Sequence, residues 1–175
     1  MKKERIRILK INNEIFSPAL VRISLAVFLL LAVTINTMAQ NESQPILKAD
    51  ANRTVKTLTG SQFVYTLFLE NTDAVSHNYL ITGKNQNENC LNPDGMSSET
   101  NIDLNISVED PGKNPITDSV TVAPGETFQF FVKLEVPDNT AYNAWNCTVI
   151  TVDAEDCSPA TLLLHTFYPN PENLE

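Results

Sequence analysis

The chain has 175 residues, with 21 acidic against 12 basic side chains and a formal charge of −9. Half of the basic residues fall in the first 39 positions, and the other 136 residues hold six Lys/Arg against nineteen Asp/Glu, a charge of −13. A surface that acidic repels phosphate backbones and anionic lipid, which argues against nucleic acid as a partner.

Lys2, Lys3, Arg5, Arg7, Lys10 and Arg22 form a basic leader ahead of the apolar run 23–35. Thr37 and Ala39 then flank Met38 in the small-x-small pattern that a signal peptidase reads. The run falls short of the roughly 20 apolar residues that a membrane span needs. Residues 1–39 are therefore expected to be a signal peptide cleaved after Ala39. The mature chain is then exported to the periplasm, outer surface or medium, with no membrane span of its own. Residues 40–45 are polar and read as a disordered N-terminus.

The predicted strands follow in order. Residues 46–49 and 54–58 are two pieces of a first strand, and Gly60 turns the chain. Residues 62–70 place Phe63, Tyr65, Leu67 and Leu69 on one face at period two, ending at the turn cluster Asn71-Thr72-Asp73. Residues 76–82 form a short strand that buries Tyr79 and Ile81 or else His77 and Leu80. Residues 84–101 have few apolar side chains and contain Asn-Pro-Asp-Gly, so they read as a long polar loop. Residues 102–108 return to alternation. In 119–137, Val120 and Val122 face Phe128, Phe130, Val132, Leu134 and Val136 across Ala123-Pro124-Gly125-Glu126, which reads as a β-hairpin. Phe131 is out of phase. Residues 145–152 put Trp145, Cys147 and Val149 on one face, a turn occupies 153–159, 160–167 is the last strand, and 168–175 is a C-terminal tail.

No helical period occurs after residue 39. Seven or eight strands between Gly/Pro/Asn/Asp turns predict an all-β fold, a single two-sheet sandwich over 46–167. An up-and-down barrel fits the long loop less well. The pattern Gly-Ser-x-x-Val-Tyr-x-Leu-x-Leu-x-Asn-Thr over 60–72, the Tyr-Leu-Ile strand at 79–81 and Val-x-Val-Ala-Pro-Gly-Glu through Val-Pro at 136–137 resemble bacterial immunoglobulin-like domains. The nearest likeness is the Ig-like module attached to alpha-galactosidases and other exported proteins, with fibronectin type III-like domains as relatives. The resemblance implies an Ig-like sandwich and an accessory role.

Such a sandwich puts the loop after its third strand and the loop before its sixth at the same end. Cys90 lies in the first and Cys147 just past the second, which implies a Cys90–Cys147 disulfide and leaves Cys157 over; three unpaired thiols, with Cys147 in the core, are the alternative. No C-x-x-C spacing occurs, and neither His77 nor His165 stands near a cysteine in sequence, so no metal or cofactor is expected. Asn87, Glu88, Asn92, Asp94 and Glu99 gather oxygens in one loop, but not at calcium-loop spacing, and read as a solvated turn. Trp145 and Tyr142 are the candidate ligand surface, an aromatic platform for sugars or a partner protein; the alternative places Trp145 in the core.

No hydrolase motif or paired carboxylate set is present, so the chain is not expected to be an enzyme. The function expected is a secreted, non-catalytic Ig-like module with a binding or structural role at the bacterial cell envelope, its partner an envelope or extracellular protein or glycan. A carbohydrate-binding module is the alternative, and a metal-assisted hydrolase is the weakest reading.

Overall fold

A computed structural model describes residues 44–173; the expected signal segment and its cleavage point lie outside the described residues. Nine strands make up the fold: β1 (Ile46–Ala49), β2 (Val55–Thr57), β3 (Gln62–Glu70), β4 (His77–Asn85), β5 (Asn105–Glu109), β6 (Val120–Val122), β7 (Thr127–Glu135), β8 (Ala144–Ala154) and β9 (Cys157–Tyr168). They form two sheets, A in the order β1-β3-β7-β5 and B in the order β2-β9-β8-β4-β6. Period-two alternation fills the space between them. Tyr65, Leu67 and Leu69 from β3 and Phe130, Val132 and Leu134 from β7 meet Tyr79, Ile81, Ile150, Val152 and Leu164 from sheet B in one core. The all-β, two-sheet architecture is thus the one the alternation predicts.

Residues 119–137 do not form a hairpin. β6 pairs with β4, matching His77 to Val122 and Tyr79 to Val120. β7 pairs with β3 and β5 in the other sheet. The cause lies in the connection, where Asn71 at the end of β3 grips the chain as it crosses. Its amide donates to Glu126 O at 3.0 Å, its carbonyl accepts from Gly125 N at 2.9 Å, and its side chain donates to Val122 O at 2.9 Å. Gly125 has φ of 69°, a conformation that costs other residues backbone strain. The turn therefore delivers the chain to β3 rather than folding it back on β6.

Three other boundaries moved for local reasons. β4 runs on to Asn85 because Gly83 is a packing position rather than a turn: a Cβ there would meet Ile106 Cγ2 at 2.9 Å and Ile150 Cδ1 at 3.1 Å. β8 and β9 extend to a tight turn, pairing Ala154 with Cys157. Gln44 is tied down, its side chain donating to Pro159 O at 3.0 Å and its carbonyl accepting from Thr72 Oγ1 at 3.1 Å. Phe131 faces outward on sheet A opposite Thr66 and Glu109.

Asn71 is fully buried, and its side-chain amide also donates to Val75 O while its Oδ1 accepts from Asp73 N and Tyr79 Oη. Asn71→Ala would strand two buried partners, Val122 O and Tyr79 Oη, and two part-buried ones, Val75 O and Asp73 N. It is expected to lower unfolding free energy by about 3 kcal/mol in urea titration, against about 1 kcal/mol for Gly125→Ala.

Candidate functional site

The register of β8 with β9 decides which side chains face away from the core. Inner pairs include Thr148 with Leu164 and Ile150 with Leu162, so Trp145, Cys147 and Val149 face outward beside Phe167, His165 and Leu163. That outer face is too apolar to be left in water, and the chain covers it with residues 86–104. Gln86 N donates to Cys147 O and Ile102 N to Trp145 O, both at 2.8 Å. The loop between them leaves and rejoins β8 two residues apart, the closed form of an Ω-loop.

A disulfide joins Cys90 to Cys147 across 57 residues, with Cα atoms 6.5 Å apart. Cys157 takes no part in it. Above the bridge, Asn92 and Asn101 pair amide to amide at 2.7 and 3.1 Å, and Asn92 also donates to Met96 O at 3.1 Å. Asn92 is only 2% exposed, so a polar loop has made its own buried polar centre and satisfied it. Below the loop, Asn146 donates to Asn85 Oδ1 and Ile102 O, and Asn85 pairs with both backbone groups of Leu104. These bonds close the end of the core under the loop.

Trp145 is 8% exposed and lies outside the core, under the loop, against Phe167 at 5.1 Å. Its indole N–H donates to Asp94 Oδ2 at 2.7 Å. The Met96 amide and that indole hold the Asp94 carboxyl below the usual carboxylate range. Trp145 is therefore neither a core residue nor part of an exposed platform; its apolar ring and single donor are both spent on fixing the loop. Tyr142 is 48% exposed and packs on Tyr168 at 4.9 Å, apart from that arrangement. The two aromatic residues do not form one surface.

His165 lies beneath the same loop, its Nε2 3.5 Å from Cys90 Sγ. Both sulfurs and the imidazole come within 4.8 Å of one another, but the sulfurs are bonded to each other and offer no thiolate pair to a metal. Burial depresses the His165 pKa below its ordinary 6.5, with a Leu91 backbone hydrogen bond offsetting part of the effect. The oxygen set of the loop does not converge either, because Asn92 faces Asn101 and Asp94 faces Trp145. What the loop presents outward is an open recess of about 450 Å³ lined by Asn87, Glu88, Asn89, Ser98, Glu99 and Asn101. Only the polarity of residues 84–101 signalled it. His77 stands at the far end of β4, beside Asp73.

Closing a loop of this length is worth about 4 kcal/mol in the chain-entropy account. Cys90→Ser is expected to lose stability of that order and to shift the emission of Trp145, the sole tryptophan, to longer wavelength as the loop loosens. For His165, the folded chain binds less proton than the unfolded chain below about pH 6.5. Stability should therefore be full above that pH and fall as pH drops through it, and His165→Gln should flatten this part of a urea-midpoint against pH curve.

No protein-family model matches the chain, and no curated protein matches it. Among solved structures it is similar to a family 123 glycoside hydrolase from Clostridium perfringens, at 12% identity and TM-score 0.46 over 66% of this chain and 23% of that one. It is similar to a FixG-related protein from Vibrio parahaemolyticus, at 13% identity and TM-score 0.45 over 72% and 94%. The CupB2 chaperone of Pseudomonas aeruginosa gives 10% identity and TM-score 0.45 over 73% and 57%. The chain thus spans about a quarter of the hydrolase and over half of the chaperone, and at these scores neither likeness assigns an activity or a partner.

Proposed function

We propose that the mature chain is an exported, non-catalytic immunoglobulin-like module that binds an envelope or extracellular protein or glycan through residues 87–101. One observation carries this reading: a polar loop is fixed covalently, by Cys90–Cys147, and by part-buried side-chain bonds from Asn92, Asn101 and Trp145. Joining β4 to β5 needs far fewer residues. A polar surface ordered before binding loses less entropy on contact, which is a reason to hold it so firmly.

The strand order supports the Ig-like reading. β1-β3-β7-β5 follows the ABED order and β9-β8-β4 the GFC order of an immunoglobulin sandwich, with β6 added beside β4. The sandwich over 46–167 is the working unit, of the accessory kind attached to exported alpha-galactosidases. Export is supported by a buried disulfide, which persists where the surroundings are oxidising, and by the leader-like residues 1–39.

A carbohydrate-binding reading is favoured by the recess itself, whose amides, carboxylates and hydroxyl suit sugar hydroxyls. Its contacts would be Glu88, Asn89 and Glu99 rather than Trp145. The test is binding of labelled mature protein to envelope fragments and to a glycan array. The triple variant Glu88→Ala, Asn89→Gly, Glu99→Ala leaves the disulfide and the Asn92–Asn101 pair in place, and glycine suits the φ of 59° at position 89. It is expected to bind about tenfold more weakly with an unchanged thermal midpoint. Binding equal to the parent, or no binding by the parent to either material, would remove the reading.

A further inference from the structure

At the end of β4 away from the loop, three side chains from separate parts of the chain converge. Asp73 lies in the β3–β4 turn, His77 opens β4 and Cys157 opens β9. One donor atom from each lies within 4.8 Å of the other two. His77 is 9% exposed, and its Nε2 is 2.8 Å from Asp73 Oδ2. Cys157, half-buried, also lines an open recess of about 440 Å³ with Asn78, Leu80, Asp153, Ala154 and Glu155, so its sulfur side is reached from solvent.

We propose that Asp73, His77 and Cys157 bind a borderline-soft divalent cation such as zinc, with water completing the coordination. A carboxylate oxygen, an imidazole nitrogen and a thiolate form the donor mix that zinc and cobalt(II) accept, whereas calcium and magnesium take oxygen. Bonds of about 2.0 to 2.3 Å to a tetrahedral ion set donors about 3.3 to 3.7 Å apart. The cluster reaches that spacing if the His77–Asp73 pair opens by about 0.5 Å and Cys157 closes on it.

The surroundings hold the donors in place. Ala74 N donates to Asp73 Oδ1 at 2.6 Å, which leaves Oδ2 directed at the imidazole. Asp73 N and Tyr79 Oη both bond to Asn71 Oδ1, so the buried asparagine that guides the β6–β7 crossing also positions this turn. The Tyr79 hydroxyl lies within hydrogen-bonding reach of Cys157, and its ring packs 5.8 Å from that of His77. Binding releases the Cys157 thiol proton to water as the metal–sulfur bond forms. The site is independent of residues 87–101, at the other end of β4.

The Cys90–Cys147 bridge makes a clean test available, because Cys157 is then the only thiol. The mature chain, disulfide intact and in a buffer without thiols, is titrated with cobalt(II) and then zinc. One cobalt(II) per chain is expected, with a thiolate charge-transfer band and the intense visible bands of tetrahedral geometry, both lost when zinc displaces it. Cys157→Ser, at a partly exposed strand end, should abolish the charge-transfer band and weaken binding at least about tenfold. Asp73→Asn should weaken binding but keep that band, and near-ultraviolet circular dichroism checks that each variant is folded. No saturable binding, binding without a thiolate band, or binding unchanged in Cys157→Ser would overturn the proposal.

Discussion

The first half of β8, Ala144 to Thr148, is buried on both faces, and much of the molecule follows from that. A two-layer sandwich covers only one face of each sheet, so Trp145, Cys147 and Val149 on the outer side of sheet B need a third layer. The chain builds it from residues 86–104, which are too polar to hold themselves there by apolar burial. Covalent bonding and satisfied polar pairs hold them instead, with the Cys90–Cys147 bridge pinning one part and the indole of Trp145 holding Asp94 in another. Sheet A has no such requirement. Its outer face carries the Lys48–Glu70 and Lys133–Glu135 ion pairs among partly exposed Phe68 and Phe131, a mixture that water tolerates. Pairs so exposed are screened by water, so they keep that face soluble more than they stabilise it.

The opposite end of the sandwich depends on Asn71. Its backbone and side chain make contacts with the β3–β4 turn, the end of β6 and the start of β7, with its own side chain and the bonds to Val122 O and Tyr79 Oη shielded from water. In that environment each bond is strong and each missing one costly, which is why an asparagine can decide a topology that apolar patterning leaves open. The same oxygen that accepts from Asp73 N accepts from Tyr79 Oη, linking the crossing between sheets to the Asp73, His77 and Cys157 cluster.

Alternation made the strands and the core legible, since period two reports which residues share a face. It does not report which strand lies alongside. Val120 and Val122 alternate correctly whether they pair with β7 or with β4, and the hydrogen bonds of Asn71 that choose between the two join residues about fifty positions apart. Nor does it distinguish an inner from an outer face: Trp145, Cys147 and Val149 do share one, but it is the face beneath the loop. The strand expected over 76–82 stops short of Gly83 because the packing partners of that glycine, Ile106 and Ile150, are remote in sequence. The Cys90–Cys147 pair is what the Ig-like resemblance implies by placing two loops at one end, whereas His77 and Cys157, eighty residues apart, carry no sequence signal of their proximity.

How the loop is tied to the core bears on how it can act. Ile102 and Leu104 lead from residues 87–101 straight into the sandwich, where Leu104 belongs to the core and its backbone is held by the Asn85 side chain. Asn146 bridges Asn85 to Ile102 O and in turn receives a bond from Thr148 Oγ1. Swinging the loop away from β8 would therefore break this network, expose the Trp145 ring and disturb Leu104, costs well above thermal energy. Side chains around the recess can adjust, but the backbone that carries them cannot move far. Under the proposed function a partner would thus meet a surface already in its bound arrangement, and affinity would rest on the chemistry of Glu88, Asn89 and Glu99 rather than on closure of the loop.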